Sequence, residues 1–287
     1  MEFRWTIEST YDDWLVRDYL KHVRAFSGQL IKAMKQSGVI EVNGEMATIA
    51  DRLNHKDVLK VVLPKEQRSE AFQPKQEPLS IVYEDKHVLV VNKERGNAVT
   101  PNMNDEAGVT LIEAVLGYFD RQGLDATGHV VTRLDRYTSG LVLVAKHRYS
   151  HHLMQQVSID RWYEGVIEGS LSGSGTLKWP IARHLPSIIE RKVSEDGQPA
   201  VTHYRVKLAE HDRTLVELKL ETGRTHQIRV HMAHLGYPLI GDDLYGSESH
   251  DLVGQALHCK WLKFIHPISG QEITAYAKTP HELIELL

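Results

Sequence analysis

Cysteine is almost absent from this 287-residue chain, with Cys259 standing alone. A single thiol excludes an internal disulfide and any cysteine-based metal cluster, a usage that suits a reducing cytosol. Within ALHCKWLKF it reads as a buried structural thiol rather than a nucleophile. Long apolar runs are missing too. No uncharged stretch approaches the roughly 20 residues that a membrane span needs, and MEFRWTIESTYDD has neither the basic nor the apolar region of a secretion signal. The expectation is a cytoplasmic protein without membrane contact. Positive charge is not in excess either. A formal net charge of −4 argues against a broadly basic nucleic-acid binder, so any contact with phosphate has to come from local patches. Regular strand–helix alternation is also lacking. Strands outnumber helices, which points to an α+β fold rather than a doubly wound sheet.

What is present divides into three stretches. Residues 1–64 read as a small unit of their own. Leu15, Tyr19, Leu20 and Val23 recur at helical spacing, and Ser27 is placed to cap a second helix beginning near Gly28. VIEVNGEMA then offers a hairpin turn at Asn43-Gly44, and DVLKVVLP a β-rich ending. Between Leu20 and Lys35 the charged residues are Lys21, Arg24, Lys32 and Lys35, with no acid among them. Residues 65–78, polar with two prolines, read as a linker. Residues 79–287 hold the larger domain. There Thr110 and Glu113 form a capping box, Val216, Leu218 and Leu220 alternate like a half-buried strand, and Glu210 to Arg213 mark a hairpin tip.

Chemistry concentrates at a few points. In HVVTRLDRYTSGLVLVAKH, Asp135 sits close to both Arg133 and Arg136 at the mouth of an apolar run. A structural ion pair would explain this, and so would a carboxylate kept ionised for attack, since a neighbouring arginine lowers a carboxyl pKa by about one to three units. A second cluster, Arg224, His226, Arg229, His231 and His234, lies in ETGRTHQIRVHMAHLGYPLIGDDLYG. Read as a strand, it turns His226 and His231 to opposite faces, and no carboxylate or cysteine completes a tetrahedral set nearby, so no metal is expected. Tyr163 in RWYEG, taken singly, is a core ring with its hydroxyl at the rim. Arg191-Lys192 and Gly197 to Ala200 look like scaffold.

Together these stretches resemble the RluA-type family of RNA pseudouridine synthases. The resemblance rests on RLDRYTSGLVLVAK from Arg133, on Arg161-Trp162-Tyr163, and on TGRTHQIRVHMAHLGYPLIGDDLYG. VYEDKHVLVVNK, GQPAVTHY and LHCKWLKFIHPISG also match, so it spans about residues 79 to 275. Residues 1–64 are similar to the small S4-like α-L RNA-binding domain. Three positions depart from the family pattern. Thr132 replaces a histidine, Tyr137 replaces an acid, and Lys93-Glu94-Arg95-Gly96 lacks the usual proline.

The resemblance implies a mixed, largely antiparallel sheet flanked by helices and loops, and isomerisation of uridine to pseudouridine in structured RNA, ribosomal RNA before transfer RNA, by a monomer without a cofactor. It assigns Asp135 as the essential carboxylate, with Arg224 as its partner. Tyr163 becomes the aromatic against the flipped uracil and a candidate base. Arg133 fills the gap that the flipped base leaves. Arg136, Arg161, His226, Gln227 and Arg229, with Lys21, Arg24, Lys32 and Lys35 of the first unit, are expected to contact RNA. Two other readings remain. A non-catalytic RNA-binding or ribosome-assembly factor would tolerate loss of Asp135, and a glycosidase-like hydrolase would need a second carboxylate, such as Asp242 or Asp243.

Overall fold

A computed structural model describes residues 1–101 and 108–287. The chain begins with a four-stranded antiparallel sheet. Its strands are β1 (Glu2–Thr6), β2 (Val39–Val42), β3 (Glu45–Met46) and β4 (Val58–Val62), in the order β1-β4-β2-β3, with helices α1 (Val16–His22) and α2 (Gly28–Ser37) between β1 and β2. Both helices lie where the apolar spacing puts them. The Ser27 hydroxyl caps α2 by accepting the Leu30 N–H at 3.1 Å. Asn43 and Gly44 both adopt positive φ, as a tight β2–β3 turn requires. Tyr19, Leu20, Leu30, Met34, Leu53, Leu59 and Val61 form this unit's own core.

Residues 65–78 contain no helix or strand, yet they are pinned to the larger domain. Glu66 accepts the Arg148 N–H at 2.6 Å and the Thr127 hydroxyl at 2.8 Å, and Arg68 donates to the Ala126 carbonyl at 2.9 Å.

The larger body is built on a ten-stranded sheet. Its strands begin with β5 (Ser80–Glu84), β6 (Val88–Lys93), β7 (His129–Val130), β8 (Ser139–Ala145) and β9 (Ile159–Glu168). After β10 (Ser174–Leu177), a separate hairpin of β11 (Ile181–Arg183) and β12 (Arg191–Val193) interrupts the sequence. The sheet resumes with β13 (Thr202–Glu210), β14 (Arg213–Leu220), β15 (Leu257–Ile265) and β16 (Glu272–Tyr276). The order is β10-β13-β14-β9-β15-β8-β6-β5, with β16 on β15 and β7 on β8. Among the described strands only the β8–β15 pairing is parallel, so the sheet is mixed and largely antiparallel, as expected. The helices are α3 (Leu111–Arg121), α4 (Arg148–Met154), α5 (Gln227–His234) and α6 (His281–Ile284). No described helix is long and apolar enough to cross a membrane.

Sequence pattern sets the depth of each strand. Every residue of β8, SGLVLVA, is buried, as a continuous apolar run with both faces covered requires. In β14 buried and half-buried residues alternate, so one face looks outward. Gly140 enters β8 at φ +109°, where an added Cβ would lie 2.2 Å from the Cys259 carbonyl oxygen. The Thr-Ser-Gly motif thus lets β8 and β15 approach side by side just behind Asp135.

One expectation fails here. Gln227–His234 is a helix, not a strand. The chain leaves β14, turns through Thr222 to His226, and enters α5 at His226, which holds φ +57°. Short-range alternation of polar and apolar residues cannot tell this turn-plus-helix from a strand.

The first unit docks on the body through aromatic and imidazole rings. Phe3 stacks on His87 with centroids 5.7 Å apart and meets Tyr149 edge-on at 5.3 Å, and the Tyr149 hydroxyl donates to the Arg24 carbonyl at 2.6 Å. His147 lies beside His87 and caps α4 by accepting the Ser150 N–H. Burial, reinforced by the neighbouring His87, pulls the His147 pKa from 6.5 to about 3. The unfolded chain therefore takes up a proton between those values that the folded chain refuses, and stability present above about pH 6.5 is lost as pH falls toward 3. Thermal denaturation at neutral pH and at about pH 4 is expected to show this loss. It should shrink in His147→Asn, which keeps the cap without titrating; an undiminished acid loss in that variant would refute the assignment.

Candidate active site

A cavity of roughly 700 Å³ opens where the Arg133–Thr138 loop, β9, the β14–α5 turn and β12 converge. The Arg-Leu-Asp triplet alternates in its exposure. Leu134, 9% exposed, anchors in the main core, while Arg133 and Asp135 project into the cavity. Two loops hold this segment from behind. Lys93, nearly fully buried, donates from Nζ to the carbonyls of Glu94 (2.9 Å), Asn97 (2.8 Å) and Arg136 (2.9 Å). Burial draws its pKa down to about 7, with Asp135 acting in the opposite direction. Arg95 donates to the carbonyls of Tyr137 (2.7 Å), Gln255 (2.6 Å), Gly254 (2.6 Å) and Val253 (2.5 Å).

Side-chain contacts account for two of the three departures from the family pattern. Thr132 is buried and its hydroxyl accepts the Leu143 N–H at 2.9 Å. The Tyr137 ring lies against Gly254, where an added Cβ would come within 2.4 Å of the ring, and beneath the Arg95 guanidinium at 5.9 Å. Glu94 gives its backbone carbonyl to Lys93, a contact that a proline would make equally, and nothing in the structure explains this third departure.

The partner of Asp135 is not Arg224. Arg229, on the first turn of α5, donates from Nη1 to Asp135 at 3.3 Å and grips Asp242 with Nε at 2.8 Å and Nη2 at 2.7 Å. The Asp242 side chain is fully buried, whereas that of Asp135 is 30% exposed. Arg229 is therefore oriented by a bidentate fork and offers its remaining edge to Asp135. Arg224 precedes the helix in an exposed turn, where its Nε donates to the Pro199 carbonyl at 3.1 Å. The helical turn decides the difference, because it brings residue 229 to the cavity floor and leaves residue 224 at the rim. Asp242 is committed to Arg229 and does not line the cavity, so it supplies no second hydrolytic acid.

His226 also faces the carboxylate, with Nε2 3.9 Å from Asp135 and Nδ1 2.8 Å from the Tyr245 hydroxyl. Burial lowers its pKa, Asp135 opposes this and Arg229 adds to it. The Tyr245 ring lies 5.0 Å under the Arg229 guanidinium, and its hydroxyl accepts the Arg191 N–H at 2.9 Å. Arg191, read from sequence as scaffold, thus lines the cavity. Lys93 and Tyr245 fall within stretches that match the family pattern, and Arg191 within none, but only the tertiary contacts show what each of them touches.

Tyr163 lies on the cavity wall, 5% exposed, paired across the sheet with Cys259. Burial, then Cys259, raise its pKa well above 10. That direction favours the neutral phenol and speaks against a tyrosine base, leaving the ring and hydroxyl as the groups that face the cavity. A pH–rate profile is expected to show no phenol ionisation below about pH 10; an inflection there that disappears in Tyr163→Phe would contradict it.

The remaining candidates separate. Arg161 lines the cavity with a buried Nε that has no hydrogen-bond partner among the described residues. Arg133 is exposed there, and Arg136 lines the same wall while donating to the Gly96 carbonyl at 2.9 Å. Gln227 is a correction. Its amide donates to the Val201 carbonyl and the Thr202 hydroxyl and accepts from Thr222 and Arg224, so it braces the turn and has nothing left for RNA. Arg24 is another. Its guanidinium donates to the Tyr19 hydroxyl at 2.6 Å and stacks 5.0 Å from Trp5. Lys21, Lys32 and Lys35 are exposed on the first unit, and none lines the cavity.

Residues 87–234 match the family model described as RNA pseudouridylate synthase. The chain is 44% identical over 255 residues to the uncharacterized RNA pseudouridine synthase YjbO of Bacillus subtilis (strain 168), covering 87% of this chain and 90% of the relative. It is 38% identical over 280 residues to ribosomal large subunit pseudouridine synthase D of Xanthomonas campestris pv. campestris, covering 91% and 84%. Among solved structures, human RNA pseudouridylate synthase domain containing 1 superposes with a TM-score of 0.59 at 24% identity, over 72% of this chain and 85% of that one, a likeness of fold.

Proposed function

Because the chain belongs to the RluA-type family of RNA pseudouridine synthases, we propose that Asp135 acts at the glycosidic bond of a uridine flipped out of large-subunit ribosomal RNA. The reaction is an isomerisation. The N1–C1′ bond breaks, the uracil turns, C5 bonds to C1′, the C5 hydrogen leaves as a proton, and N1 takes one up. Positive charge builds at C1′ as the first bond breaks, and a carboxylate beside it stabilises or captures that centre.

The observation that carries the reading is the division of the cavity. At its floor Asp135 is held by Arg229, which buried Asp242 fixes in place. Around it Arg133, Arg161 and Arg224 present cationic groups with no carboxylate partner among the described residues. This suits an anionic polymer that threads phosphates along the rim and one sugar to the floor. The flat Arg133 guanidinium, exposed beside the carboxylate, takes the place of the extruded base, and the neutral Tyr163 ring packs against the uracil. Exposed Lys21, Lys32 and Lys35 on the S4-like unit extend the phosphate contacts. The ribosomal target is drawn from the names of relatives such as the Xanthomonas enzyme.

Carbodiimide-stop mapping of total RNA, in cells lacking the gene and rescued with wild type or Asp135→Asn, tests this reading. One or more large-subunit uridines should lose their pseudouridine signal on deletion and regain it only with wild type. Sites confined to transfer RNA would overturn the target, and restoration by Asp135→Asn would overturn the role of the carboxylate.

A further inference from the structure

The β11–β12 hairpin stands outside the main sheet and ends in the loop His184 to Glu190. Its base packs on α5 through Ile181, Ala200 and Val230, so it is rooted in the helix that carries Arg229. Its tip exposes three large aliphatic side chains, Leu185 at 75%, Ile188 at 74% and Ile189 at 60%. Clustered exposed aliphatics of this size mark an interaction surface more often than an isolated surface leucine does.

The tip is built to hold them outward. Its backbone is satisfied internally, with the Ser187 hydroxyl accepting the N–H groups of Ile189 (3.3 Å) and Glu190 (3.1 Å). His184 and Glu190 close the neck at 3.0 Å. Arg191, which lines the active-site cavity, donates from Nη1 to the carbonyls of Ile188 (3.3 Å), Ile189 (2.8 Å) and Glu190 (2.8 Å). The apolar tip therefore continues the rim of the cavity. Arg183 pairs directly opposite Arg191 across the hairpin, so the two share a face, while Lys192 pairs with Ala182 on the other face. Like charges opposite one another destabilise a strand pair until an anion lies over them.

We propose that this hairpin is an RNA wedge: Leu185, Ile188 and Ile189 pack against unstacked bases flanking the target uridine while Arg183 meets the adjoining phosphate. The proposal rests on the synthase reading above and adds a second contact to it. Apolar side chains inserted at base steps relieve part of the unstacking cost of a few kcal/mol. The need for such help depends on structure in the RNA, because a base in a short single strand is already unstacked and accessible.

That dependence supplies the test. The probes are a large-subunit rRNA transcript labelled with [5-³H]uridine, either folded or cut to short single strands, with tritium release as the readout. The triple variant Leu185→Ser, Ile188→Ser, Ile189→Ser is expected to lose about tenfold in kcat/KM on the folded transcript, equivalent to about 1.4 kcal/mol, and to match wild type on the single strands. The second result doubles as a check of folding, and Ile188→Leu should retain the wild-type rate on both. Equal rates of wild type and triple variant on the folded transcript would overturn the wedge, as would equal losses on both RNAs. So would a concentration-dependent dimer that the triple variant abolishes without changing either rate, which would assign the tip to a second copy of the chain. Tritium release by wild type that Asp135→Asn lacks reports the synthase reading separately.

Discussion

Asp135→Asn is expected to lower pseudouridine formation by about four orders of magnitude or more, the range seen when a residue acting on the reacting bond is removed. The amide keeps the shape of the carboxylate but supplies neither the negative charge opposite C1′ nor a competent nucleophile. The surroundings should survive the change. Arg229 retains its two hydrogen bonds to Asp242, and Leu134 retains its core anchorage, so neither the guanidinium nor the loop loses its support. The Asp135 side chain is already 30% exposed, so exchanging it leaves no buried group stranded. Tritium release, RNA affinity and melting temperature measured on one preparation separate these effects. The rate should collapse while affinity and melting temperature stay close to wild type. A variant with a few per cent of wild-type activity would move the essential carboxylate elsewhere, and a large fall in melting temperature would show that Asp135 is chiefly structural.

Arg229→Gln is expected to damage both fold and chemistry, whereas Arg224→Gln should damage neither severely. Without Arg229 the Asp242 carboxylate lies fully buried with no cation, a situation that costs about 3–5 kcal/mol. In a chain of this size the melting temperature should fall by about 10 °C. Activity should fall as well, because Asp135 loses the guanidinium that the structure places against it. Adding Asp242→Asn removes the stranded charge, so the double variant should recover much of the melting temperature and none of the activity. That split distinguishes a positioning cation from a merely structural one. Arg224, exposed and bonded to a single carbonyl, should on substitution shift stability by no more than about 0.5 kcal/mol and act mainly on KM. The reverse pattern, with Arg224 essential and Arg229 dispensable, would refute the assignment of the cavity floor.

Features that depend on neighbours along the chain are legible before folding. The capping box at Thr110 and Glu113, the Ser27 cap, the Asn43-Gly44 turn and the apolar run of β8 are local, and each forms where its residues dictate. The long ordered signatures around Asp135, Tyr163 and Arg224 likewise carried the family. Which arginine reaches the carboxylate is a matter of tertiary structure, because GRTHQIRVH supports a strand or a turn and helix equally well by local pattern. Burial decided the chemistry of Tyr163. Its pKa is set by the closed sheet around it and by Cys259, nearly a hundred positions away in the chain. Lys93, Arg95 and Arg191 gained their places through backbone carbonyls, which every residue possesses and no motif can advertise. Hydrogen bonds of that kind depend on where the chain passes rather than on which side chain it carries there. They become visible only once the fold has brought distant segments together.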